Sequence, residues 1–152
     1  MDTPELLTHL AAHLGLAGLQ LDDQGCCALQ VGDELVLNVR WLPDDERLVL
    51  FALLGLLPVD GRAACAIDLL RGNRFGLATA GARLSVDESE PPRVLLDDRV
   101  DARRASPAEF VETVECFADT ARRWMTRLAE LPTARPAADA MAGVAPHMPS
   151  FA

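Results

Sequence analysis

Three strand-like segments, joined by two short polar turns, limit this chain to few possible folds. The segments run from Cys26 to Val31, from Glu34 to Trp41 and from Leu48 to Leu54. Residues 32–33 and 43–46 connect them, and neither connection is long enough for the crossover that parallel strands need. The third segment is apolar at nearly every position, as in a strand covered on both faces. We therefore predict an antiparallel meander with a central third strand.

Three helices are predicted around this meander. The first begins at Thr3-Pro4, a hydroxyl cap followed by proline, and has leucines at three- and four-residue spacing. The second covers residues 62–73 and is expected to close through the left-handed conformation at Gly72-Asn73. The third begins with a capping box at residues 106–109, Ser-Pro-Ala-Glu, and its apolar stripe continues to residue 131.

Two or three short strands are predicted between the second and third helices. They comprise residues 75–80, residues 83–87 and a last strand at 94–96 before an acidic stop at Asp97-Asp98. Because strands and helices do not alternate strictly, the pattern favours an α+β fold over a doubly wound parallel sheet. The predicted order is helix, three-strand meander, helix, two or three strands and a long C-terminal helix. We expect one domain over residues 1–131 and a disordered Pro/Ala-rich tail over 132–152.

The charge of the chain argues against nucleic acid or a membrane as its partner. The net charge is −9 and the pI is about 4.7, whereas phosphates and anionic lipids attract basic surfaces. The sequence lacks the roughly 20 consecutive apolar residues of a membrane span. Residues 1–5 also lack the basic start of a secretory signal, so we expect a cytoplasmic protein. The cysteines are expected to be buried thiols rather than disulfides or metal ligands.

His9 and His13 are the strongest candidates for a metal site, because residues four apart share one helix face. No third ligand is evident near them, and the glutamate that follows the first histidine of the zinc-protease helix motif is missing. Two solvent-exposed helix residues are therefore the favoured interpretation, with a metal-dependent enzyme as the alternative. We expect no metal, no cofactor and no catalytic site.

Apolar side chains are more abundant than one small core requires. The first helix, the second strand and the second helix all carry them beyond a single narrow stripe. A monomer of this size normally leaves only a few hundred Å² of contiguous apolar surface exposed. We therefore expect part of this surface to be covered by another subunit or a bound partner; the alternative is that one core takes up all of these side chains.

Four local patterns resemble the class I type III secretion chaperones, the CesT/SycE-like group. They are the opening helix with the next residues (6–16), the Asp-Asp-Gln-Gly entry to the first strand (19–29), Leu-Leu-Arg-Gly-Asn at 69–73 and the closing helix (110–131). The order and spacing of these patterns, rather than any one of them, carry the resemblance. It covers roughly residues 6–131.

The resemblance implies a homodimer that holds the N-terminal segment of a secreted effector in extended form. It places the dimer interface on the second helix and the following strand, at Ala66, Ile67, Leu70, Phe75 and Leu77. It places the effector contacts on the first helix and the adjacent sheet, at Leu7, Leu10, Leu14, Leu35, Leu37 and Trp41. An adaptor with the same fold that binds a folded protein is the alternative function.

Overall fold

The structure, a computed structural model, describes residues 3–131. Its elements are α1 (Thr3–His13), β1 (Cys26–Val31), β2 (Leu35–Leu42), β3 (Arg47–Leu56), α2 (Arg62–Gly72), β4 (Arg83–Val86), β5 (Arg93–Asp101) and α3 (Pro107–Glu130). The predicted α+β class and the predicted order of elements are confirmed, with two strands between α2 and α3. The predicted tail at 132–152 lies outside the described residues.

The five strands form one antiparallel sheet in the order β1-β2-β3-β5-β4. The meander of β1, β2 and β3 is therefore confirmed, and β3 is central because it pairs with both β2 and β5. The two edges of the sheet are β1 and β4. These edges matter below, because an unpaired edge can accept another strand.

Helices α1 and α3 cover one face of the sheet. Helix α3 lies against β3, and α1 lies against α3. Alternate residues of β2 and β3 point into the layer between sheet and helices, as the period of two requires. Its fully buried members include Leu35, Leu37, Val39, Leu48, Leu50 and Ala52.

The opposite face of the sheet is not covered by any element within residues 3–131. On β3 this face carries Phe51, which is half-buried, and Leu53, which is 46% exposed. The prediction that the third strand is covered on both faces is therefore wrong for this part of the chain. Strand β3 is apolar on both faces because one face packs in the core and the other forms part of an exposed apolar surface.

The start of α3 is fixed as the sequence predicts. The Ser106 hydroxyl accepts a hydrogen bond from the Glu109 backbone N–H at 3.3 Å. The Glu109 carboxylate accepts one from the Ser106 backbone N–H at 2.9 Å, which lowers the pKa of Glu109. This reciprocal box satisfies two backbone donors that the first turn of a helix leaves free.

The predicted strand at residues 75–80 is wrong. Residues Arg74–Gly76 form a short 3₁₀ turn, in which Phe75 has a φ of +59° and Gly76 a φ of +67°. The Gly76 carbonyl then accepts a hydrogen bond from the N–H of Gly81 at 3.0 Å. Two successive left-handed residues turn the chain sharply, so it cannot run as an extended strand.

Two further expectations about local structure are also corrected. Gly72 belongs to α2 and is buried, and Asn73 has a right-handed φ of −71°, so neither closes the helix in the left-handed conformation. Strand β5 does not stop at Asp97-Asp98 but continues to Asp101, because β3 pairs with it along this length. Within residues 3–131 no helix combines the length and apolar character that crossing a membrane requires.

Candidate partner-binding surfaces

Four of the six residues expected to contact an effector belong to the core. Leu7, Leu10, Leu35 and Leu37 are at most 2% exposed. A side chain that the chain's own core already surrounds has almost no surface to offer a partner. The sequence pattern identified an apolar face, but the resemblance assigned these four side chains to the effector, whereas the structure buries them in the core.

The other two predicted effector residues keep some accessible surface. Trp41 is half-buried and packs against the edge of the core. Leu14 is 36% exposed and lies at the end of a groove between α1, β1 and α3. This groove has a volume of about 310 Å³, and its apolar lining comprises Leu14, Leu29, Val31, Val114 and Ala118.

The residues expected at the dimer interface lie together on α2 and the turn after it. Leu70, Phe75 and Leu77 are 70%, 88% and 84% exposed. Ile67 is 48% exposed and Ala66 is half-buried. We call these five residues the α2 face. Solvent-exposed phenylalanine and leucine side chains in one short stretch indicate a surface that is covered in an assembly.

Helix α3 holds the turn that carries Phe75 and Leu77 in place. The Trp124 indole N–H donates a hydrogen bond to the Ala78 carbonyl at 3.0 Å. The Arg127 guanidinium lies over the Trp124 ring, 5.2 Å from its centroid. Sequence reasoning missed this support, because it joins residues about 50 positions apart in the chain.

Arg127 also ties α3 to α2. It donates to both carboxylate oxygens of Asp68, with Nε–Oδ2 and Nη2–Oδ1 distances of 2.7 and 2.6 Å. The hydrogen bond from Arg127 lowers the pKa of Asp68 and raises its own pKa. A bidentate pair between a guanidinium and a carboxylate fixes direction as well as distance, so Arg127 and Asp68 hold α2 at a defined angle to α3.

Strand β1 presents an open edge. The Gly25 carbonyl accepts from the Trp41 N–H at 2.8 Å, which sets the alternation of hydrogen bonds between β1 and β2. The outward N–H of Cys26 donates to the Asp22 carboxylate, and the outward carbonyl of Cys26 accepts from the Asp22 backbone N–H. By the same alternation, the N–H and C=O groups of Ala28 and Gln30 point away from β2. Within residues 3–131 these groups have no hydrogen-bond partner.

Strand β4, at the other edge, is closed at its middle. The Asn73 side-chain amide donates to the Leu84 carbonyl at 2.9 Å and accepts from the Leu84 N–H at 2.8 Å. One amide thus forms the two hydrogen bonds that a neighbouring strand would form there. The two edges of the sheet are therefore not equivalent.

A model of the Tir chaperone protein (CesT) family matches residues 5–125. The chain belongs to this family. The match covers every helix and strand described above except the ends of α1 and α3. The resemblance inferred from the four local patterns is confirmed.

This CesT-family chain is similar over most of its length to a curated protein and to solved structures. A protein of Chlamydia pneumoniae is 29% identical over 126 residues, which cover 82% of this chain and 94% of the relative. The crystal structure of the ExsC–ExsE complex contains a chain that is 26% identical with a TM-score of 0.71, and the match covers 84% and 97% of the two chains. The HopA1–SchA chaperone–effector complex gives 26% identity and a TM-score of 0.63 over 83% and 91%.

His9 and His13 of this CesT-family chain belong to no cluster of potential metal ligands within residues 3–131. His13 pairs with Glu115 of α3, with 2.9 Å between Nε2 and Oε1. Residues 3–131 contain no group of three or more His, Cys, Asp or Glu side chains placed to hold a metal ion. The His9/His13 pair therefore has no third ligand in this part of the family fold.

The cysteines of the CesT-family chain are only partly as expected. All four are free thiols; Cys65 is buried, Cys26 and Cys27 are half-buried, and Cys116 is exposed. The expectation of a buried thiol is thus wrong for Cys116. Burial raises the pKa of Cys27 to about 11, and the neighbouring Cys26 adds to the shift. Cys27 is therefore an uncharged thiol of low reactivity at neutral pH.

Proposed function

We propose that this chain is a type III secretion chaperone, which binds the N-terminal segment of a secreted effector and keeps it export-competent. The protein would act in the cytoplasm as a homodimer, by binding and without a catalytic step. Membership of the CesT family supports this function, as does similarity to a chaperone solved in complex with its effector. The observation that carries the proposal is the open edge of β1 beside an apolar groove.

An extended peptide fits this edge by strand addition. The outward N–H and C=O groups of Ala28 and Gln30 offer four hydrogen-bond positions in the geometry of an antiparallel or parallel neighbour. Side chains of an added strand point alternately to the two faces of the sheet. One set would face the groove of Leu14, Leu29 and Val31. An unfolded segment can supply such a strand without disrupting a structure of its own.

The open face of the sheet extends this surface. Val36, Phe51, Leu53 and Leu95 line a depression of about 410 Å³ on the side away from the helices. Val36 and Leu53 are 45% and 46% exposed. The other set of side chains from an added strand would lie on this same face of the sheet, beside Ala28 and Gln30 of β1. The depression begins one strand further in, at Val36 of β2, so a client segment that continues across the sheet would occupy it.

The homodimer is proposed from the α2 face. Its exposed side chains lie at the β4 end of the molecule, because Asn73 follows α2 directly and forms hydrogen bonds to Leu84 of β4. The open β1 edge lies at the opposite end of the sheet. Two copies joined through the α2 face would therefore leave both β1 edges accessible.

Two substitutions at one position test the strand-addition proposal. The client candidate is the protein encoded beside the gene for this chain, because chaperones of this class are often encoded next to their effectors. Ala28→Pro removes the outward N–H and places a ring at the edge, whereas Ala28→Val keeps the N–H. We expect the isolated N-terminal segment of the client to co-purify with the native chain and with Ala28→Val, but not with Ala28→Pro.

If the proline variant is folded by circular dichroism and still retains the segment, the β1 edge is not the binding site. If only the folded remainder of the neighbouring protein binds, the chain is an adaptor for folded proteins and the chaperone proposal fails.

A further inference from the structure

A carboxylate occupies a position of β5 where the strand's own pattern calls for an apolar residue. Val94 and Leu96 face the core, and the period of two places Asp98 on the same face. The pairing confirms this placement, because Asp98 lies opposite Leu50, which is 0% exposed. Burial raises the pKa of Asp98, and the nearby charge of Asp97 adds to the effect. A polar residue that breaks a core pattern is often retained for a function.

Asp98 forms part of the wall of a cavity of about 460 Å³. The cavity lies between β5, the first half of α3 and the turn before β4. Two further acids, Glu109 and Glu112, line it from α3, and Ala80, Ala82 and Phe117 supply apolar wall. The residues that line it, all within the described range, include no arginine and no histidine. Three acids therefore line the cavity, and the nearby Arg83 of β4, which is not part of the lining, pairs with Asp97.

Thr79 gives a second, independent indication of a ligand. It lines the same cavity and is 0% exposed, and its hydroxyl oxygen has no hydrogen-bond partner among residues 3–131. A buried hydroxyl without a partner destabilises the fold, so native proteins rarely retain one. Asp98 and Glu112 likewise form no ion pair within the described residues, whereas Glu109 is engaged with Ser106 in the capping box. Asp98 Oδ1 accepts a hydrogen bond from the Arg99 backbone N–H at 2.7 Å, which leaves its second oxygen, the Glu112 carboxylate and the Thr79 hydroxyl without a donor among residues 3–131.

We propose that this cavity binds the guanidinium group of an arginine side chain from a protein partner. A guanidinium presents five N–H donors and one positive charge, which match the carboxylates of Asp98 and Glu112 and the hydroxyl of Thr79. The methylene stem of arginine would lie against Ala80, Ala82 and Phe117. The cavity is also much larger than an ion requires, and its acids are not grouped as metal ligands within residues 3–131.

The affinity of the cavity for a guanidinium does not depend on which polypeptide supplies the arginine. The net charge of −9 favours association with basic segments of a partner. The assignment of this arginine to the secreted client rests on the proposed function, whereas the affinity for a guanidinium does not. The cavity lies away from the β1 edge, since none of its lining residues belongs to β1 or β2. The two sites can therefore be tested independently.

The first test uses a small probe on the full chain. N-acetyl-arginine N-methylamide is titrated into ¹⁵N-labelled protein at millimolar concentrations, and the citrulline analogue serves as its uncharged match. We expect the arginine compound alone to shift the amide resonances of Thr79, Asp98 and Glu112. Asp98→Asn and Glu112→Gln should each weaken binding by about tenfold to a hundredfold, the loss expected when a charged hydrogen-bond partner is removed. Glu5→Gln, which changes the net charge equally on α1, should leave binding unchanged.

Two results would overturn the proposal. The cavity is not a guanidinium site if the arginine and citrulline compounds behave alike, or if binding survives in both cavity variants. The polypeptide source fails if no arginine of the client couples to Asp98 in double-mutant cycles of client Arg→Gln with Asp98→Asn. Binding of the client at Ala28 would persist in either case, so failure of the cavity leaves the proposed chaperone function standing.

Discussion

The indole ring of Trp124 lies directly on the α carbon of Gly72. A Cβ atom at position 72 would be 2.4 Å from Cζ2 and 2.5 Å from Cη2 of the ring, and 2.9 Å from Cδ1 of Leu84. The ring cannot swing aside freely, because its N–H is bonded to the Ala78 carbonyl and Arg127 covers its face. Glycine is thus required at this point of α2 by close packing, although its φ is that of an ordinary helix residue.

Gly72→Ala is therefore expected to destabilise the fold. Overpacking of this kind typically costs about 1–3 kcal/mol, which exceeds the gain in helix propensity of about 1 kcal/mol. The free energy of unfolding from a urea titration measures the effect. Gly18→Ala is the matched control, because nothing lies within 4 Å of a Cβ there, and it should change stability little. Equal stability of the two variants would contradict the packing described for Trp124.

The α2 face is expected to control the oligomeric state. Leu70→Asp or Phe75→Asp would bury an unpaired charge in a dimer interface, which costs several kcal/mol, while in a monomer the residue stays in water. We expect light scattering to show a dimer for the native chain and a monomer for each variant. Leu16→Asp, an exposed leucine after α1, should remain dimeric. A native chain that is monomeric at micromolar concentration would remove the proposed interface.

Asp98 gives the stability a defined dependence on pH. Its pKa is raised in the folded state, so the ionised group opposes folding at neutral pH, and the opposition fades as pH falls through the folded pKa. The charges around it are Asp97 on β5, Arg83 on β4, and Glu109 and Glu112 on α3. We expect Asp98→Asn to raise the thermal midpoint at neutral pH.

The effect of Asp98→Asn on stability is itself expected to depend on pH. The difference between Asp98→Asn and the native chain should shrink at acidic pH and disappear below the ordinary pKa of aspartate, where both side chains are neutral. A difference that stays constant across this range would show that the carboxylate is not held in the burial described here. Scanning calorimetry at a series of pH values provides the measurement.

Asn73 is expected to stabilise the β4 edge. Asn73→Ala removes both hydrogen bonds to Leu84, for an expected loss of about 1–3 kcal/mol. Asn38→Ala is a matched control, because Asn38 forms one long bond of 3.5 Å to the Phe51 carbonyl. Hydrogen exchange should report faster exchange of the Leu84 amide in the first variant only. Unchanged exchange at Leu84 would mean that Asn73 does not protect this edge.

Local patterns predicted local structure well. The capping box at Ser106 and Glu109, and the short turns of the meander, depend on residues close in sequence, and both are present in the structure. The turn at Phe75 could not be predicted in the same way. It depends on Trp124, which reaches it from α3 through the Ala78 carbonyl.

The binding surfaces were harder to predict for a different physical reason. Periodicity shows which side chains share a face, but not what covers that face. Leu35 and Leu37 share a face and are covered by the chain itself, whereas Leu70 and Phe75 are exposed. The cavity at Asp98 and Thr79 could not be predicted, because the turn before β4, β5 and α3 meet only in the fold. The one signal in the sequence, Asp98 in the alternation of β5, was interpreted as the end of the strand.

The unequal edges of the sheet have a consequence for the protein when its client is scarce. A sheet with two open edges can add copies of itself without limit and grow into a filament. In this sheet β4 is closed at Leu84 by Asn73, whereas β1 is open at Ala28 and Gln30. Pairing of two single copies therefore ends once their β1 edges meet. The proposed homodimer carries two β1 edges, so dimers without a client can join end to end, and a bound client strand prevents this by covering the edge.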